Sequence, residues 1–369
     1  MVLILRKCYK DGSSSYGFVY GQAGDTVTAP DWDPTPECGK GLHGLKQGNG
    51  DYGLLEGDDW LVIEANDEDV VDIDNRKCKF STGKILYRGD KEGLHQYASV
   101  MATDSVPAYK WARDIGDREI MRDRITDSEG AYLWAMAFGD KKIMRDRVNE
   151  SKWAFWWAKD IGDKKIMRDR VTEPKWAYYW ARQIGDLEIM IDRVTESQWA
   201  YTWSLFIGDL EIMRDRVTDS KCAYQWARDL GDKEIMRDRV TDPYWAYCWA
   251  RDIGDKEIMR DRVTDSISAF KWAKEIGDRE IMRDRVTESE WAYEWANSIG
   301  DREIMRERVT DSEHAYYWAT YIGDRKIMID RVTDSEGAYL WAKDIGDREI
   351  MIDRVTDPFW KEEFDKLPS

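Results

Sequence analysis

From about Thr103 onward, apolar and polar positions alternate in a register that never slips. A Gly-Asp step recurs at Gly116, Gly139, Gly162, Gly185, Gly208, Gly231, Gly254, Gly277, Gly300, Gly323 and Gly346, always 23 residues apart. In the copy at 172–194, Ala177, Trp180, Ala181 and Ile184 fall at i, i+3, i+4 and i+7, the apolar stripe of a first helix, A, over 174–184. Gly185 suits a left-handed stop and Asp186 is placed to cap a second helix, B, over 187–194, with Ile189, Met190 and Val194 inward. Helix A opens on what reads as a capping box, Thr126-Asp-Ser-Glu129 and its equivalents at Thr287, Thr310 and Thr333. In three units Pro174, Pro243 or Pro358 takes the first helical turn, where a missing N–H costs little. Neither helix buries its stripe alone, so the units must stack.

The array runs through Val355 as 11 units, and a half-unit follows in which Phe364 takes the Trp slot while Lys361 and Asp365 replace the two Ala. That is the composition of a terminal cap. Residues 1–98 lack the period. They are Gly-rich, with strand-like runs at 2–5, 16–20, 60–63 and 85–87, and a helix is expected over 91–100. The expected fold is therefore α+β, with a small β-rich N-terminal domain over 1–98. An all-α solenoid of 11 two-helix repeats with a C-terminal capping helix follows over 99–369.

Eleven copies allow slots to be compared within one chain. The Trp slot (Trp111 to Trp341), the first Ala slot, the Asp after each Gly and an Arg (Arg124 to Arg354) are constant. Trp on the Ala/Ile stripe reads as core, and the Arg as a planar donor to carbonyls or an Asp of the adjacent unit. Slots aligned with Lys175, Trp176, Tyr179, Arg182 and Gln183 vary, on the face opposite the stripe. In the second to fifth units that face carries Leu133, Met136, Trp153, Trp156, Trp176, Tyr179, Trp199, Leu205 and Phe206. A constant framework with one diversified, aromatic face is how a repeat scaffold presents a surface for a protein partner, or for a second copy of itself.

Two resemblances accompany this reading. Ala177-Tyr-x-Trp-Ala-x-x-Ile-Gly-Asp-x-Glu-Ile-Met190 is similar to the helix pair of ankyrin repeats. The unit is shorter than the ankyrin period of about 33 residues and lacks its Thr-Pro-Leu-His turn. The resemblance implies stacked helix pairs and a scaffold role. Cys38-Gly-Lys-Gly-Leu-His43 resembles the core of a small uncharacterised domain of phage and bacterial proteins, which implies a phage setting and no known activity.

Charge narrows the options. The chain carries a formal net charge of −17, which disfavours direct binding of nucleic acid or an anionic membrane. An acidic DNA mimic is the first alternative. Residues 101–369, however, interleave 45 basic with 56 acidic side chains, and stacked helices repeat at about 8–10 Å against about 3.4 Å for phosphates on one strand. An enzymatic N-terminal domain targeted by the array is the second alternative, and it requires a cleft around Cys38 and His43. The apolar run at residues 1–5 is too short for a signal peptide or a membrane span. Five cysteines without an even framework fit a reducing cytoplasm, the host's if the protein is phage-encoded. Cys8, Cys38, Cys78 and His43 have the composition of a Cys3His zinc site. No Cys-x-x-Cys pair supports it, so no metal, cofactor or catalytic group is assigned and the expected function is non-enzymatic.

Overall fold

The computed structural model describes residues 1–74 and 77–367. The chain divides into two compact units, Met1–Val194 and Thr195–Ser369, each treated by itself. The first unit begins with seven strands: β1 (Val2–Cys8), β2 (Thr26–Thr28), β3 (Leu42–Lys46), β4 (Asp59–Ala65), β5 (Val70–Asp74), β6 (Lys77–Phe80) and β7 (Thr82–Gly89). They form one antiparallel sheet in the order β2-β7-β4-β1-β3-β6-β5. Val2, Ile4 and Cys8 of β1 alternate toward a core with Leu61, Ile63, Phe80 and Ile85, while Leu5, Leu45 and Val62 on the opposite face are buried as well. Residues 16–20 are not the expected strand. They form a turn with Tyr16 in solvent, closed by an isolated bridge between Ser13 and Val19. Over 91–100 the expected helix is one 3-10 stretch, Glu92–Tyr97.

The array then follows as 23 α-helices to the C-terminus. In the reference repeat, helix A is Pro174–Gln183 and helix B is Leu187–Met190, continued by a 3-10 turn to Arg193. Every Trp of the constant slot, from Trp111 to Trp341, is fully inaccessible. Phe364 is equally buried in the last helix, while Phe359 beside it stays exposed, as a one-sided cap demands. At the start of the array, Arg124 has no preceding repeat and donates instead to the carbonyls of Ser99 and Met101.

Three local expectations are corrected. The residue at the N-cap of helix A is the Asp or Glu after Thr, not Thr itself, and Glu150, Glu173, Glu196 and Glu288 make no side-chain cap there. Asp127 Oδ1 accepts from the Gly130 N–H at 2.7 Å, and Ser128, one residue on, is buried. The Ser128 hydroxyl then accepts from the backbone N–H groups of Asn149 and Glu150 in the next repeat. The box thus ties repeat to repeat rather than closing on itself. Second, Asp186 sits in the left-handed region at φ 59° and makes no side-chain cap. Its carboxylate instead takes the Trp180 indole N–H at 3.2 Å, and the same bond forms at Trp249–Asp255 and Trp318–Asp324. Where it forms, that bond offsets the cost of a conformation non-glycine residues seldom adopt; Asp163 and Asp232 adopt it although the Trp157 and Trp226 indoles find no partner among the described residues.

Third, Ile189 is not inward. Met190 and Val194 are fully buried, four residues apart, and they define helix B's inner face. A neighbour turned about 100° away cannot share so narrow a stripe. The slot is isoleucine in all eleven repeats, from Ile120 to Ile350, with 37–49% of its surface exposed. Ile258→Ala is therefore expected to cost at most about 1 kcal/mol, against about 2–5 kcal/mol for Met259→Ala. Urea unfolding of the two variants checks the assignment, and equal losses would place Ile258 in the core.

Candidate functional site

The variable face of helix A is less free than its sequence suggests, because three of its slots have structural work within the stack. Trp153 stacks on Tyr132 of the preceding repeat at 5.3 Å between centroids, and Trp176 on Phe155 at 5.5 Å. Tyr224–Trp245, Phe270–Trp291 and Tyr339–Trp360 repeat the contact. These tryptophans are half-buried by an internal partner. Where the slot is small, as at Gly130 and Gly337, a Cβ would meet the Ser105 or Ser312 side chain of the preceding repeat at 2.6 or 3.0 Å.

The acid slot is engaged as well. Tyr132 donates its hydroxyl to Asp160 of the next repeat at 2.7 Å, and Tyr201, Tyr224, Tyr247 and Tyr316 do the same to Asp229, Asp252, Glu275 and Asp344. The partners vary together in part, since Tyr109, Tyr178 and Tyr293 keep the hydroxyl although Ala137, Phe206 and Tyr321 stand in the acid slot. Where Phe155 and Phe270 lack the hydroxyl, the positions 28 residues on are Gln183 and Ser298, not acids. A cation completes the motif. Arg228 pairs with Asp229 at 2.7 Å and lies 5.5 Å over Tyr224, and Arg251 repeats both contacts on Asp252 and Tyr247. The Asp229 and Asp252 carboxyls are held below the usual carboxylate range, first by the bonded arginine.

Against that rule, three predicted residues stand out. Met136 and Leu205 occupy the cation slot, where most repeats have Arg or Lys, and Phe206 occupies the acid slot. Met136 is 53% and Phe206 61% exposed, and Leu205 also faces solvent. Ala137 follows Met136, so in both repeats a cation–acid pair has become two apolar residues. Of the rest, Trp156 and Tyr179 are half-buried around the edge of Phe155, with ring centroids 5.3 and 6.2 Å away. Lys159 lies 4.6 Å over the Trp156 ring, and Leu133 is half-buried. Leu133, Met136, Trp153, Trp156, Trp176 and Tyr179 belong to the first compact unit; Trp199, half-buried, Leu205 and Phe206 belong to the second.

The acidic ladder of helix B is compensated locally. Arg145, Arg168 and Arg306 pair with Asp146, Asp169 and Glu307 at 3.2–3.4 Å. The constant Arg reaches back across repeats: Arg262 Nη1 donates to the carbonyls of Arg237 and Val240.

The four residues with zinc-site composition are not brought together. Cys8 and Cys78 are core residues, with Cys78 Sγ 3.4 Å from the Gly44 carbonyl, while Cys38 is exposed and 2.9 Å from Lys77 Nζ. Cys38 and His43 do line one cavity, the cleft an N-terminal activity requires. Burial, then Lys77 and Arg6, pull the His43 imidazole down to about 4. Relative to an ordinary imidazole near 6.5, that shift stabilises the fold above pH 6.5, and the contribution is lost as pH falls toward 4. With only three histidines in the chain, an NMR titration should show one ring neutral throughout the range where an ordinary imidazole protonates. An ordinary midpoint for His43 would contradict this.

No helix among the described residues is long and apolar enough to cross a membrane. Comparison with known proteins gives no matching family model, no matching curated protein and no matching solved structure.

Proposed function

We propose that this protein is a non-enzymatic repeat scaffold that binds a protein partner through the outer face of its A helices. The observation that carries the reading is the replacement of the cation–acid pair by Met136–Ala137 and Leu205–Phe206, whose large side chains keep much of their surface exposed. Exposed apolar groups forgo roughly 25 cal/mol per Å² of area left in water, so a partner gains by covering them. Trp156 and Tyr179 supply aromatic surface in the same class of position, the residue types that dominate interface hot spots. The DNA-mimic alternative is disfavoured, because acids of helix B such as Asp146, Asp169 and Glu307 are shared with an arginine rather than left as a bare anionic row. The ankyrin likeness and the phage setting are part of this proposal on the strength of their sequence resemblances alone. They make the partner a host protein met in the host cytoplasm.

The test rebuilds the chain's own common pattern. Met136→Arg with Ala137→Asp, and Leu205→Arg with Phe206→Asp, give both repeats the pair found at Arg228–Asp229. Capture from host lysate with the intact chain should recover a partner that the four-fold variant does not retain. Sedimentation of each purified chain distinguishes a second copy from another protein. Equal recovery by both chains would place the binding surface elsewhere.

A further inference from the structure

The cavity on the N-terminal sheet has no part in scaffold binding. It encloses about 810 Å³, within the range of sites that take small organic ligands. Its origin lies in the strand pairing. β1 and β3 are in register only at Ile4–Lys46 and Leu5–Leu45. Beyond that ladder the Arg6 guanidinium, through Nη1, donates to the His43 carbonyl. The 14–20 turn and the Cys38–Gly41 loop close the walls.

Three of the lining residues each carry a side-chain atom buried without a hydrogen-bond partner among the described residues: Arg6 Nε, the Tyr20 hydroxyl and His43 Nε2. Arg6 links them, because besides holding the His43 carbonyl it lies 4.8 Å over the Tyr20 ring. Tyr20 is only 1% exposed. Burial pushes its phenol up to about 12, so the hydroxyl keeps its proton. Guanidinium N–H groups and a protonated phenol donate, and a guanidinium has no lone pair to accept with. For Arg6 Nε and the Tyr20 hydroxyl the missing group is therefore an acceptor, which also suits the neutral His43 in its Nε2–H tautomer. Leaving such donors unmet is costly in a folded protein.

The charge balance agrees. Arg6, Lys7, Lys40 and Lys77 line the cavity against Asp31 and Glu56, an excess of positive charge in a chain whose net is −17. Both acids are already occupied, Asp31 by the Gly41 N–H at 3.1 Å and Glu56 by the Ser15 hydroxyl. Phe18, Leu42, Leu54 and Leu55 make the remaining wall apolar.

We propose that this cavity binds a small organic oxyanion, a phosphate ester or a carboxylate, with its charged oxygens on Arg6 and Tyr20 and its carbon skeleton against Phe18 and the leucines. His43 Nε2 adds a third polar contact, and Cys38 stands at the rim with Lys77.

Phenyl phosphate, benzoate and benzyl alcohol, titrated calorimetrically into the full chain, test the proposal. One or both anions should bind and the alcohol should not; the tighter anion identifies the source chemistry. Cys38 is the one exposed cysteine, the other four being buried, so a bound anion should also slow its alkylation by iodoacetamide. Tyr20→Phe is the decisive variant, because it removes only the unmatched hydroxyl. It should leave the melting temperature of the free protein unchanged or higher, and weaken the anion about tenfold. Arg6→Gln should weaken it further. Absence of binding by both anions overturns the proposal. So does a Tyr20→Phe chain that melts lower while binding the anion as tightly as the parent. Neither variant touches the array, so the scaffold reading stands or falls separately.

Discussion

Trp249→Ala is expected to cost about 3–5 kcal/mol, the range for truncating a fully buried aromatic. Trp249 has no accessible surface, and it does three things at once. Its ring fills the space beside Ala246 and Ala250, its carbonyl accepts the N–H groups of Ile253 and Gly254, and its indole donates to Asp255 at 3.4 Å. Alanine keeps the second role and loses the others, leaving a cavity and an unpartnered carboxylate in the left-handed Asp255. In a stack held by nearest-neighbour contacts the loss should fall on the adjoining repeats first. Hydrogen exchange should therefore rise around residues 220–275 before it rises in the sheet. The Trp226 indole, buried without a partner among the described residues, supplies an internal control: Trp226→Phe should cost less than Trp249→Phe. A near-neutral Trp249→Ala would mean that the ladder is not core.

Arg262→Met is expected to cost about 2–3 kcal/mol, because it removes charge-assisted bonds to two carbonyls while keeping much of the side chain's bulk. The acceptors, Arg237 and Val240, lie at the C-terminal end of the preceding B helix, where carbonyls run short of intrahelical donors, although that of Arg237 also takes the Val240 N–H at 3.2 Å. A contact to Asp238 at 3.6 Å adds little, since that carboxylate is exposed and screened. Arg262→Lys should restore less than half of the loss, because a point ammonium cannot present two fixed donors to carbonyls three residues apart. Equal stability of the Lys variant and the parent, measured by urea unfolding, would show that charge alone suffices.

The array was legible because its 23-residue register repeats the same constraints eleven times. Trp180, Ala177 and Met190 are buried as the 3.6-residue period requires. The constant Arg was legible as a donor to the adjacent repeat, as Arg262 is, but other contacts between repeats escaped. Ser128 looks like part of a local box until the N–H groups of Asn149 and Glu150 come to rest on it. Trp176 looks exposed until Phe155 covers one side of it. The Tyr–acid pairing did leave a trace in the sequence, since Phe155 and Phe270 each coincide with a missing acid 28 residues on. Finding it required comparing slots in different repeats rather than along one helix. Ile189 was misplaced because hydrophobicity was taken as direction on a helix too short to have a broad inner face. In the N-terminal sheet, β2, β3, β5 and β6 were missed: β2 is only three residues long, and Gly44, Asp72 and Lys79 interrupt the pattern of the others. The cavity was out of reach, being made by the end of the β1–β3 ladder rather than by a motif.

The most direct test of the scaffold account is the affinity of the captured partner for the intact chain and for the four-fold variant, measured beside their melting temperatures. With the Arg–Asp pairs rebuilt at 136–137 and 205–206, the melting temperature should hold or rise. Affinity should fall by about 2 kcal/mol or more, roughly thirtyfold. A variant that melts well below the parent would make Met136 and Phe206 part of the fold, and one that binds with undiminished affinity would remove the outer face of the A helices from the interface.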